Sequence, residues 1–191
     1  LLFLFFFSLI LSCQDSRNNI SKPNVILINA DDLGWSDLSL MGSNYYETPN
    51  IDKLADSGMT FYNAYAAAAN CAPSRASMLS GKYTTEHGIY TVSTSERGNK
   101  KTRKLIPIKN NQILDLDFLL ISEMFKSEGY TNGIFGKWHL GPEGFYPEQS
   151  GFDSNIGGCE YGMPGKGGYF SPYEHPKIED GPEGEYLTDR I

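Results

Sequence analysis

Positive charge and cysteine are what this sequence has least of. Its 191 residues carry 16 Lys and Arg against 23 Asp and Glu, a formal charge of −7. Nucleic-acid binding needs a basic footprint, and the chain as a whole offers none, so no nucleic-acid partner is expected. Its one basic run is Lys100, Lys101, Arg103 and Lys104. Such a run either attracts a polyanionic substrate or lies solvated on a loop, and the second case is the commoner. Three cysteines, at 13, 71 and 159, are an odd number without metal-like spacing, which excludes a disulfide framework. Internal repeats are absent. Apolar residues make up 40% and aromatics 13%, enough for a packed globular core.

No apolar run is long enough to span a membrane. Leu1 to Leu11 is almost wholly apolar but falls well short of the roughly 20 residues a span needs. It fits the h-region of a secretory signal. Ile10-Leu11-Ser12-Cys13 resembles a bacterial lipobox, in which the Cys is lipidated; an ordinary signal peptide with a chance cysteine is the alternative. Residues 1–13 are therefore expected to be a lipoprotein-type signal and 14–22 a flexible tether. The expected location is outside the cytoplasm, in the periplasm or on the outer membrane of a bacterium, with membrane contact only through the lipid at Cys13. The chain opens on Leu1 and closes on Ile191 and is expected to be part of a longer one.

From residue 23 onward, strand-like and helix-like segments alternate. Asn24 to Ala30 is a continuous branched apolar run, as expected of a strand buried on both faces. Pro49 to Ser57 has helical spacing with Gly58 as a cap. Met59 to Tyr65 alternates loosely and suggests a second strand. Ser74 to Leu79 reads as a short helix closed by Gly81, and Asp117 to Glu128 as a helix stopped by Gly129. Tyr130 to Phe135 is a further strand, and Gly141 to Gly184 is loop. Strands alternating with helices imply a parallel α/β sheet, whose ligands bind beyond the carboxyl ends of the strands.

Chemistry-bearing residues sit at those ends. Asp31 and Asp32 follow the first strand, and paired carboxylates suit a hard cation, although Asp is equally at home in a turn or helix cap. Lys137 and His139 follow a later one. Two residues apart in extended backbone, they point to one side, and a cation beside an imidazole can hold an anion and move a proton. A surface Lys and a structural His flanking a buried Trp138 is the blander reading of that pair. His87, in Glu86-His87-Gly88, is expected to be structural. Between these lies Asn70-Cys71-Ala72-Pro73-Ser74-Arg75, followed by Leu79-Ser80-Gly81. A buried cysteine before a helix does not explain why Pro, Ser and Arg follow in that order.

Cys71, Pro73, Ser74, Arg75 and Gly81 resemble the Cys-x-Pro-Ser-Arg signature of the type I sulfatases, within the alkaline-phosphatase superfamily. Pro23-Asn24-Val25 through Asp31-Asp32-Leu33-Gly34 is similar to that family's first strand and metal-binding acids, and Gly136-Lys137-Trp138-His139-Leu140-Gly141 to its sulfate-binding stretch. Thr48-Pro49-Asn50-Ile51-Asp52 and Gly151-Phe152-Asp153 fit as well. The resemblance implies an α/β fold, with an alkaline-phosphatase-like, mostly parallel sheet flanked by helices, of which residues 23–191 would be the incomplete N-terminal part. It implies hydrolysis of sulfate esters, on sulfated carbohydrate or aryl sulfate, by a formylglycine that a maturation enzyme makes from Cys71, reading Pro73, Ser74 and Arg75. It further implies Ca2+ (or Mg2+) held by Asp31, Asp32 and an oxygen of residue 71. Arg75 would steady the hydrated aldehyde, Lys137 would bind sulfate, and His139 would act as base in sulfate release. The family's remaining ligands and its leaving-group acid are expected beyond Ile191, so these 191 residues alone are not expected to turn over. Two rivals stand beside this reading: a phosphonate or phosphodiester hydrolase of the same superfamily, and a non-catalytic lipoprotein that binds sulfated glycans.

Overall fold

A computed structural model describes residues 21–191, and the chain divides after Asp31. The signal and lipidation site expected at residues 1–13 lie outside the described residues. Residues 21–30 form no regular secondary structure, and Ile26 and Ile28 are 85% and 78% exposed. The strand expected over Asn24 to Ala30 is therefore not formed. A doubly buried strand depends on flanking strands for its backbone hydrogen bonds. Among the described residues the one named pairing joins two other segments.

Those segments are β1, Gly133–Phe135, and β2, Ser154–Ile156, which run parallel with Gly133 opposite Ser154 and Phe135 opposite Ile156. A parallel pair with surrounding helices is an α/β arrangement, here reduced to two strands. The expected strand over Tyr130 to Phe135 starts three residues late because Asn132 works as a bracket instead. Its side chain donates to the carbonyls of Ser122 and Gly151, and its backbone N–H donates to Asp153. β2 lies within the stretch expected to be loop, because three residues with a polar centre give no usable alternation. Met59 to Tyr65 is turn and coil rather than strand, with Phe61 and Tyr65 exposed.

The helices follow the sequence more closely. α1 spans Pro49–Ser57, with Pro49 in the first turn, where its missing N–H costs nothing. α2 spans Cys71–Ser80, starting three residues earlier than expected, and Gly81 ends it at φ 67°, which suits glycine. α3 is the single turn Thr84–His87. α4 covers Ile121–Ser127; its start is fixed by the Glu123 carboxylate accepting from Leu120 N–H at 2.8 Å. α5 is Leu187–Arg190. No helix among the described residues is long and apolar enough to cross a membrane.

One core lies under α2. Ala72, Ala76 and Leu79 pack with Ile89, Leu114, Leu120, Trp138 and Leu140. Trp138 is 1% exposed, meets Phe152 edge-on, and donates its indole N–H to Phe145 O at 2.8 Å. His87 is buried beside this core. Its Nδ1 accepts from Ile89 N–H at 3.1 Å, so the neutral ring carries its proton on Nε2, 3.0 Å from Ser77 Oγ on α2. Burial holds the His87 pKa below its ordinary value. His87 is thus structural, as expected.

A ring kept neutral in the fold but free to protonate when unfolded contributes stability that is full above about pH 6.5 and is lost as pH falls below it. His87→Ala leaves the Ser77 hydroxyl and Ile89 N–H buried without partners. It should cost about 2–4 kcal/mol at pH 7.5 and flatten the acid-side loss. Urea unfolding of the intact protein at pH 7.5 and 5.5 checks both.

Candidate active site

The site is built where α2 begins and where the chain leaves β1. Cys71 is the first residue of α2, behind Asn70 at φ −109°, ψ 156°. An N-cap side chain commonly takes the N–H of the second or third helical residue; Asn70 caps neither, and the third, Pro73, has no N–H. The Asn70 amide turns outward instead and donates to Thr91 Oγ1 at 2.9 Å. Arg75 lies one turn beyond Cys71, on the same face of the helix. Its Nη1 donates to Lys137 O at 2.5 Å, tying α2 to the segment after β1.

In that segment Trp138 and Leu140 are buried, and Lys137 and His139, which alternate with them, are half-buried. The alternation expected from the sequence holds, but not by an extended backbone, since His139 has φ 64°. The outcome is a direct contact: His139 Nδ1 lies 3.4 Å from Cys71 Sγ. Two contacts thus link the turn holding Cys71 and Arg75 to the distant segment of Lys137 and His139, one of them through the Lys137 carbonyl. A guanidinium and an imidazole so close to the sulfur are group types that can hold an anion and move a proton there.

Of three residues that sequence reasoning missed, Cys159 and Gly162 bear directly on His139, and His175 backs Cys159. Cys159 O accepts the His139 backbone N–H at 2.9 Å. The Cys159 thiol, 1% exposed, is 3.4 Å from His175 Nε2, and His175 Nδ1 accepts from Lys177 N–H. Burial pushes the Cys159 thiol up and the His175 ring down in pKa, so both stay neutral and serve as packing. Gly162 completes the bracket: a Cβ there would come within 2.4 Å of His139 Cε1. No periodicity signals such a contact, since it depends on chain reversal after β2.

The acids behave differently. Asp31 and Asp32 are exposed, and Asp32 sits at φ 57°, a turn conformation that Asp tolerates. Their carboxylates are the hard oxygen donors that calcium prefers, but calcium takes about six to eight oxygens. Among the described residues no three His, Cys, Asp or Glu side chains gather as a metal would require.

Comparison with known proteins bears on what this cluster does. Residues 23–191 match the family described as Sulfatase. The chain is 41% identical over 158 residues to a sulfatase of Formosa agariphila, covering 78% of this chain and 28% of that one. It is 39% identical over 145 residues to N-acetylgalactosamine-6-sulfatase of Rattus norvegicus, covering 73% and 26%. The chain thus spans about a quarter of the length of these curated relatives. Among solved structures, Ps i-CgsB in complex with k-i-k-neocarrahexaose superimposes with a TM-score of 0.67 at 32% identity, over 88% of this chain and 39% of that one.

The ring of His139 is what gives way if Gly162 acquires a side chain. Gly162→Ala should swing His139 out of contact with Cys71 Sγ while changing stability by less than about 1 kcal/mol. A crystal structure of the variant and its urea midpoint check this; an unmoved ring would remove Gly162 from the bracket.

Proposed function

The chain belongs to the sulfatase family, and from that premise we propose that the whole protein hydrolyses sulfate esters with a nucleophile made from Cys71. The observation that carries the reading is the 3.4 Å contact between Cys71 Sγ and His139 Nδ1, with Arg75 fixed to the Lys137 carbonyl. A thiol is not needed for this chemistry, and an oxygen nucleophile is. Conversion of Cys71 to formylglycine by a maturation enzyme that reads Pro73, Ser74 and Arg75 supplies one, because the aldehyde hydrates to a diol. One hydroxyl attacks sulfur, and the alcohol leaves. The second loses its proton to His139 and expels sulfate as the aldehyde reforms, so water need not attack a hindered ester. Arg75 and Lys137 offset the negative charge gathering on the sulfuryl oxygens.

The substrate class we favour is sulfated carbohydrate, since one relative is named for N-acetylgalactosamine-6-sulfate and one structural neighbour holds a neocarrahexaose. Asp31 and Asp32 would contribute carboxylates to a Ca2+ ion, with an oxygen of residue 71 and further ligands from outside the described set. When bound, that ion would lower the pKa of an oxygen nucleophile. Export through the signal at residues 1–13, with lipid on Cys13, completes the proposal for a periplasmic or outer-membrane lipoprotein.

Two measurements test the reading. After co-expression with a sulfatase-maturing enzyme, the tryptic peptide Leu54 to Arg75 should be about 18 Da lighter, the thiol having become an aldehyde. An unmodified thiol, with a control sulfatase converted in the same cells, would remove the nucleophile. In the matured whole protein, His139→Ala should lower kcat on an aryl sulfate by roughly 10²–10⁴. Faster cleavage of a phosphate diester than of an aryl sulfate would replace sulfatase with phosphodiesterase.

A further inference from the structure

Between Arg97 and Lys109 the chain carries six cations and no acid, in a protein of net charge −7. The loop holding them is strapped at its base to the active site. Thr91, where the loop emerges, accepts the amide of Asn70, the residue immediately before Cys71. Asn110, where the loop returns, accepts the backbone N–H groups of Tyr90 and Thr91 through its Oδ1 and donates to the carbonyls of Thr91 and Ser93. Ser95 Oγ donates to Ile108 O, closing the neck.

Five of the six cations, those before Lys109, divide into two sets. Arg97 and Arg103 brace the loop: Arg97 donates to the carbonyls of Thr94 and Val92, and Arg103 donates to Arg97 O and lies 3.7 Å from Glu96. Lys100, Lys101 and Lys104 are exposed and pair with no carboxylate among the described residues. A solvated loop needs no such anchoring beside a nucleophile, nor a segregation of bracing arginines from open lysines.

We propose that Lys100, Lys101 and Lys104 form an outer anion subsite that selects polysulfated substrates by binding sulfates remote from the one being cleaved. The proposal rests on the sulfatase reading and narrows its substrate class to a chain bearing several sulfates. Lysines suit the task because an ammonium is a point charge that tolerates sulfates in varied positions, whereas a guanidinium demands bidentate geometry. Binding energy gained there lowers KM for long anionic chains and leaves small, singly charged substrates unaffected.

The test uses the matured whole protein and a Lys100→Gln, Lys101→Gln, Lys104→Gln triple variant. Dextran sulfate serves as the probe, both by direct binding and as an inhibitor of aryl-sulfate hydrolysis. The variant should bind dextran sulfate roughly tenfold more weakly, with a shallower salt dependence, while kcat/KM on the aryl sulfate stays unchanged. Equal dextran-sulfate affinity in variant and parent overturns the subsite. Double-stranded DNA bound as tightly as dextran sulfate, and weakened equally by the substitutions, overturns its assignment to sulfated chains. If neither protein cleaves aryl sulfate, the catalytic reading fails, and direct binding still decides whether the lysines hold the polyanion.

Discussion

The hydrogen bond from Arg75 to the carbonyl of Lys137 is the constraint on which the site depends. It joins a helix start to a segment more than sixty residues later, and it does so through backbone. A guanidinium bound to a carbonyl fixes main-chain position without dictating where the neighbouring side chains reach. Trp138 and Leu140, both essentially buried, then hold the opposite side of the same segment in the core. Pinned from above by Arg75 and from below by the indole, residues 137–139 have little choice of path. His139 is carried to Cys71 by that path, aided by a left-handed backbone conformation that a histidine adopts only at some cost.

The fold was legible where local physics decides it. α1 and the body of α2 follow from apolar spacing, a proline in the first turn and a glycine at the end. Strands were harder, because a strand depends on partners that periodicity does not show. Asn24 to Ala30 is as strand-like as any segment of the sequence, and it forms none. β2, with only Ile156 as an apolar residue, becomes a strand because Asn132 and Asp153 set its register against β1. Hydrophobic pattern measures readiness to be buried, and pairing decides whether a strand results.

The site divides along similar lines. Cys71, Arg75 and His139 were identifiable because their residue types are chemically pointed and closely spaced in two motifs, and these two motifs are in contact. Gly162, Cys159 and His175 were not. Their roles are to leave room, offer a carbonyl and fill space, and none of these leaves a mark on residue type. Asp31 and Asp32 show the opposite case: a chemically pointed, exposed pair, with no group of three His, Cys, Asp or Glu gathered among the described residues.

A net charge of −7 sits oddly with a site that is to hold anions, and screening resolves the conflict. At physiological ionic strength a charge is felt over roughly 8 Å. The acids that set the total are spread over the chain, whereas six of the 16 cations fall within the acid-free stretch 97–109. The Asn70 amide, just before Cys71, donates to Thr91 Oγ1 at the neck of that loop and so ties the start of α2 to it. Local field, rather than total charge, decides which ligand such a surface accepts.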